Sequence, residues 1–329
     1  MKTQNQRLNY WHIAIGFLIA CFNATQSRVN GELGHVLDNG VLAALCSFSS
    51  GWVILLVIAI VVPKVRHAFF SIPQLIRTGQ LKWWQCIGGM AGATYVIGQG
   101  AVVPVVGVAV FTISVVAGQT ASSLFVDKYG LGPAGPKAVT WVRIVAAIIA
   151  VCGVALAKIG ADTSGTQTHS AIVSSLPLVL YAFATGLVTA VQYALNGRVG
   201  VATKQPFATT LLNFTMGTLV LIIALLFMVA VQGTPLKMPP SPFEQPLLWS
   251  GGTIGIIFIA SASILVRSLG VLVFALVSVV GQLTGAILLD IFFPTSGNEV
   301  TRQIILGVVI TAVAVIVASL PTKHDKVAM

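Results

Sequence analysis

Charge is scarce in this sequence. Asp, Glu, Lys and Arg make up only 8% of its 329 residues, where a soluble domain carries about 25%. That shortage excludes a water-facing surface over most of the chain. Acidic residues are the rarest, 8 against 18 Lys and Arg. The resulting +10 charge comes from scattered basic residues and not from a patch, so nucleic acid is not an expected partner. Five histidines are dispersed, and no Ser/His/Asp set, HExxH spacing or phosphate-cradling glycine loop occurs. An enzyme therefore has no residues to work with. The four cysteines (Cys21, Cys46, Cys86, Cys152) lie inside apolar runs without ligand-like spacing. Neither a disulfide framework, a metal site nor a cofactor is expected.

Apolar sequence fills the space that charge leaves: 56% of residues are hydrophobic, with a mean hydropathy of +0.95. Ten long runs can be read, at about 11–29, 40–62, 84–103, 105–125, 139–159, 172–194, 207–231, 247–266, 269–293 and 302–320. Lipid offers no partner to a free backbone group, so runs of this length must be helices. The expected fold is an all-α integral membrane protein of ten transmembrane helices. Pro63, Pro104, Pro136, Pro206 and Pro246 stand at run boundaries, where a residue lacking N–H is expected. Residues 63–83 read as the most polar loop, and the five prolines between Gly233 and Pro246 as a stiff surface connection. The first run imitates a signal peptide, with Lys2 and Arg7 ahead of it, but its counterpart recurs in mid-chain, so it is read as a span. Alternate loops divide the 18 Lys and Arg residues fourteen to four, which predicts cytoplasmic termini.

The chain also repeats itself. Gln26-Ser-Arg-Val-Asn-Gly-Glu-Leu-Gly34 is echoed by Gln192-Tyr-Ala-Leu-Asn-Gly-Arg-Val-Gly200 at an offset of 166, which also pairs Phe48 with Phe214 and Gly51 with Gly217. An offset of 163 then pairs Gly88, Gly89 and Gly92 with Gly251, Gly252 and Gly255, residues 111–119 with 274–282, and Asp127 with Asp290. The ordered series implies duplication, with copies at 1–165 and 166–329. Five spans per copy is odd, so the copies must insert with opposite orientations, as in transporters.

At Gln26-Ser27-x-x-Asn30-x-x-Leu33-Gly34, Gly88-Gly89-x-x-Gly92, Pro104-x-x-Gly107-Val108-Ala109, Gly118-Gln119 and Asp127-x-x-Gly130, with Arg143 opening the fifth span, the chain resembles the YdcZ-like family of the drug/metabolite transporter superfamily. The resemblance is tightest over residues 20–160 and thinner in the second half, where Arg267-Ser268-Leu269 replaces Pro104-Val105-Val106. It implies a bacterial inner-membrane transporter of a small metabolite or organic solute, built as a fused pair of five-span units and present as a monomer or homodimer. Small multidrug-resistance proteins of the same superfamily carry a Glu inside the first helix. Here span 1 has none, and Glu32 lies at its outer end.

Amides buried in membrane spans are costly unless paired, and they are the candidate site. Asn23, Gln26 and Asn30 share one face of span 1, and Thr189, Gln192 and Asn196 repeat the spacing. Gln119 and Gln282 are symmetric amides of spans 4 and 9. By depth, Gln26 and Gln282 fall in the outer half and Gln119 and Gln192 in the inner half. These eight residues either line a polar pathway opened by alternating access or hold helices together in a non-transporting scaffold or sensor partner. Charges near the span ends suggest gates, Asp290 with Arg28 outside and Asp127 with Arg198 inside, against the plain alternative of solvated charges at membrane edges. Glycines four apart (Gly88/Gly92, Gly251/Gly255, Gly281/Gly285) read first as close helix packing.

Overall fold

The computed structural model describes residues 10–133, 135–136, 139–163, 169–269, 271–294 and 300–319. The described chain is all α: α1 (Tyr10–Leu37), α2 (Gly40–Val61), α3 (Pro63–Phe70), α4 (Ile72–Arg77), α5 (Gly88–Lys128), α6 (Trp141–Thr163), α7 (His169–Thr203), α8 (Pro206–Gln232), α9 (Ser250–Leu269), α10 (Val271–Phe292) and α11 (Arg302–Ser319). The helices start and stop where local chemistry dictates. Asn39 caps α2 by accepting from the Leu42 N–H at 3.0 Å. Pro206 opens α8, where its missing N–H costs nothing, and Gly233 closes it in the left-handed region at φ +62. Residues 63–83, expected as a loop, instead form α3 and α4, with a 3-10 turn following at Trp83–Ile87.

Among the described residues, five stretches are long and apolar enough to cross a membrane by themselves: 40–61, 83–128, 141–159, 175–203 and 206–232. Shorter apolar helices run over 246–262, 276–292 and 302–317. α1 is not among them because its polar residues Asn23, Gln26, Ser27 and Asn30 face inward, buried. Outward faces carry the opposite chemistry, with Leu18, Phe22, Val57, Ile60, Ile223 and Leu226 exposed, as expected where the solvent is lipid.

α5 corrects the expected boundary between two spans. At about 1.5 Å per residue its 41 residues would be about 60 Å long, twice the apolar thickness of a bilayer. It is not straight. Gly107 breaks the helical conformation at φ 82, ψ 167, and the chain doubles back, bringing Phe111 against Tyr95 with ring centroids 5.7 Å apart. The reversal falls at Gly107, three residues beyond Pro104, because only glycine adopts this positive φ without a steric penalty. Proline affects the helix before it and stays inside the first segment.

Packing reproduces the sequence repeat. α1 lies along α10 as α7 lies along the second segment of α5, while α2 packs on α8 and α6 on α11. The contacts are reciprocal: Phe214 fills the space over Gly51, and Phe48 fills the space over Gly217. Both rings meet at a centroid distance of 5.0 Å. Exchange of this kind defines an approximate two-fold axis through the Phe48–Phe214 contact. The boundary at 165/166 lies outside the described residues.

Candidate functional site

The same rotation relates the amides to the glycines. Gln26 faces Gly255 and Gln192 faces Gly92; a Cβ at these glycines would lie 2.9 and 2.7 Å from the respective amide nitrogens. One turn further along, Asn30 faces Gly251 and Asn196 faces Gly88. These glycine pairs therefore accommodate amides, a use beyond the helix packing first read for them. Each half offers an amide from its first helix to a bare stretch of helix in the other half.

Some amides are engaged. Asn23 donates to the Gln282 carbonyl oxygen at 3.2 Å, joining α1 to α10. Asn30 donates to Gln99 at 2.7 Å, and Gln99 donates to the Ser27 hydroxyl at 2.8 Å. Gln192 donates to Asn213 at 3.1 Å. The Thr189 hydroxyl bonds its own helix at the Thr185 carbonyl, so its polarity is spent locally. Others are not engaged. Gln26 and Asn196 have no side-chain hydrogen-bond partner among the described residues, and the Asn30 carbonyl oxygen is buried without one. Gln119 is half-buried and lies within reach of the Tyr193 hydroxyl, while Tyr95 lies within reach of Ser27, Gln99 and Asn23. Tyr95 thus belongs with the amides of α1, and Tyr193 with Gln119. Gln99, Asn213, Tyr95 and Tyr193 escape a symmetry-based reading. Their counterparts are Ala262, Ser47, Phe258 and Ser27, so the repeat does not flag them.

The charged candidates take other partners than expected. Asp290 is buried at 7% exposure. Its two carboxylate oxygens accept from the backbone N–H groups of Val108 and Ala109, at 3.1 and 2.6 Å. It thus caps the α5 segment that begins at the Gly107 break. A side chain at Gly107 would intrude on the carboxylate. Arg28 lies within electrostatic range of Asp290 and also donates to the Pro294 carbonyl, so this carboxylate is a helix cap first and an ion-pair partner second. At the other end the expected Asp127–Arg198 pair is replaced. Asp127 pairs with Arg143 at 2.5 Å across the loop joining α5 to α6, the shorter reach. Arg198 donates to the carbonyls of Leu131 at 2.7 Å and Gly130 at 2.6 Å. Among the described residues no cluster of His, Cys, Asp or Glu is placed to hold a metal.

A duplicated helical unit with inward-facing amides agrees with what comparison finds. The sequence model of the family described as "Putative inner membrane exporter, YdcZ" matches residues 11–156 and again 177–317. The chain belongs to this family. It is therefore an all-helical membrane protein of the YdcZ exporter family, carrying the family unit twice. A solved structure, described only as the crystal structure of a protein, superposes with a TM-score of 0.58 over 94% of this chain and 96% of its own. At 14% identity that likeness speaks for the fold alone. No curated protein matches the chain.

Proposed function

We propose that this YdcZ-family member carries a small metabolite or organic solute across the bacterial inner membrane, by alternating access between two inverted repeats. Ten spans result if each segment of α5 crosses once, and the loop charges then put both termini in the cytoplasm. Residues 1–165 and 166–329 are the repeats. The family description favours export as the direction. The observation that carries the reading is a set of amides with unmet hydrogen-bonding capacity, each over a glycine of the opposite half: Gln26, and the symmetric pair Asn30, whose buried carbonyl oxygen has no partner, and Asn196. Amides that only held helices together would be paired, as Asn23, Gln192 and Gln99 are.

A ligand-stabilisation screen on the purified protein, followed by counterflow of the hits in proteoliposomes, tests this. Gln26→Ala and Asn196→Ala should abolish exchange while folded yield stays near that of the parent. A scaffold or sensor partner would exchange nothing, and its amide variants would lose stability instead.

A further inference from the structure

We infer that the solute is uncharged and carries several hydroxyl or amide groups; this rests on the pathway reading above. The helices that bring Tyr95, Tyr193 and the amides together are free of acidic and basic side chains along their inner lengths. Residues 13–27, 88–126, 170–197, 206–232 and 271–289 contain no Asp, Glu, Lys, Arg or His. The polar side chains within reach of Tyr95 are Asn23, Ser27 and Gln99, and Gln119 is within reach of Tyr193. Charges at the ends of the seam are committed elsewhere: Asp290 to the Val108 and Ala109 N–H groups, Arg28 to Asp290 and the Pro294 carbonyl, Asp127 to Arg143, and Arg198 to two loop carbonyls.

An ion entering such a seam would lose its hydration without meeting a counter-charge, and that loss is several kcal/mol per ion even after relaxation. A neutral solute loses only hydrogen bonds, and the seam returns those in kind. A primary amide donates two and accepts two. Gln26 and Asn196 are unengaged, and the Asn30 oxygen is an unfilled buried acceptor. The site can therefore satisfy donors and acceptors of a solute at once, which suits hydroxyl and amide groups. Tyr95 and Tyr193 add flat apolar faces beside these polar points.

The test uses the full chain and four probes of similar size: myo-inositol and uridine, both neutral, and tetraethylammonium and benzoate. Melting temperature reads binding in detergent, and counterflow reads movement in proteoliposomes. A neutral probe should raise the melting temperature by several degrees and exchange, while both ions do neither. Gln26→Leu, close in size, should weaken the neutral probe about tenfold, the loss expected of one hydrogen bond. Gln26→Asn, which keeps the amide, stands in if the leucine variant fails to fold, and should bind more weakly than the parent. Gln26→Glu should admit tetraethylammonium. Binding of either ion to the parent protein in a Gln26-dependent manner would overturn the substrate class and leave the pathway standing. Neutral probes that exchange equally well in the parent and in Gln26→Leu would remove the pathway itself. No response to either neutral probe would also overturn the inference.

Discussion

Replacing Asp290 should loosen the end of the helix bundle beside the Gly107 break, the outer end on the proposed topology, without unfolding it. The carboxylate holds two backbone N–H groups, at 3.1 and 2.6 Å, at the start of the second α5 segment. Hydrogen bonds to a charged group are worth about 1.5–3 kcal/mol each. Asp290→Asn keeps one acceptor oxygen but turns an NH2 group toward the other N–H, so about 2 kcal/mol should be lost. Asp290→Ala loses both bonds and should cost about 3 kcal/mol, with water recovering part of the gross loss. A difference of 2–3 kcal/mol changes a two-state population by roughly 30- to 150-fold. Gln26 lies two residues before Arg28 on α1 and faces Gly255, so its accessibility reads the opening of this end. In a background lacking Cys21, Cys46, Cys86 and Cys152, a cysteine introduced at Gln26 should be labelled from outside by an impermeant maleimide. Labelling should be faster in Asp290→Asn and faster again in Asp290→Ala. Equal labelling rates in all three proteins, with unchanged melting temperatures, would show that the cap does not hold this end shut.

Reporter fusions after residues 35, 70, 165 and 240 should read outside, inside, outside and outside; cytoplasmic signals at both 165 and 240 would end the inverted arrangement. Gly51→Val and Gly217→Val each drive a side chain into a phenylalanine ring across the two-fold axis. Each should cost about 1–3 kcal/mol by overpacking, and thermal melts should find the two nearly equal. A double-mutant cycle on Asp127 and Arg143 should give a coupling of at most about 1 kcal/mol, because both side chains are partly exposed. The cycle on Asp127 and Arg198, measured alongside by melting, should give none.

The parts of this protein that sequence reveals are those the bilayer or the duplication enforces. Apolar runs become helices because lipid leaves the backbone no other partner. The offsets of 166 and 163 survive because paired positions meet each other's counterparts, Phe48 with Gly217 and Phe214 with Gly51. What breaks the symmetry stays hidden. Gln99 is a hub for Asn30 and Ser27, yet its counterpart Ala262 gives no hint of it. The same holds for Asn213, whose counterpart is Ser47. Pro104 attracts attention as a helix breaker, but the reversal needs a positive φ and so waits for Gly107. Asp290 belongs to a helix 181 residues from the N–H group of Ala109 that it accepts from, and no local pattern announces a cap at that distance.

One hydrogen bond sets a schedule for making the protein. Asn23 is satisfied by Gln282, 259 residues later in the chain. At a synthesis rate of about 5–20 residues per second, that is a wait of roughly 13–50 s during which α1 is in or near the membrane with an amide unanswered. Gln192 and Asn213, 21 residues apart, find each other within seconds. The first helix, too polar to count among the autonomous spans, must therefore be sheltered by the insertion machinery or by provisional neighbours until α10 arrives. Chains interrupted before α10 should be more readily degraded than chains interrupted after it.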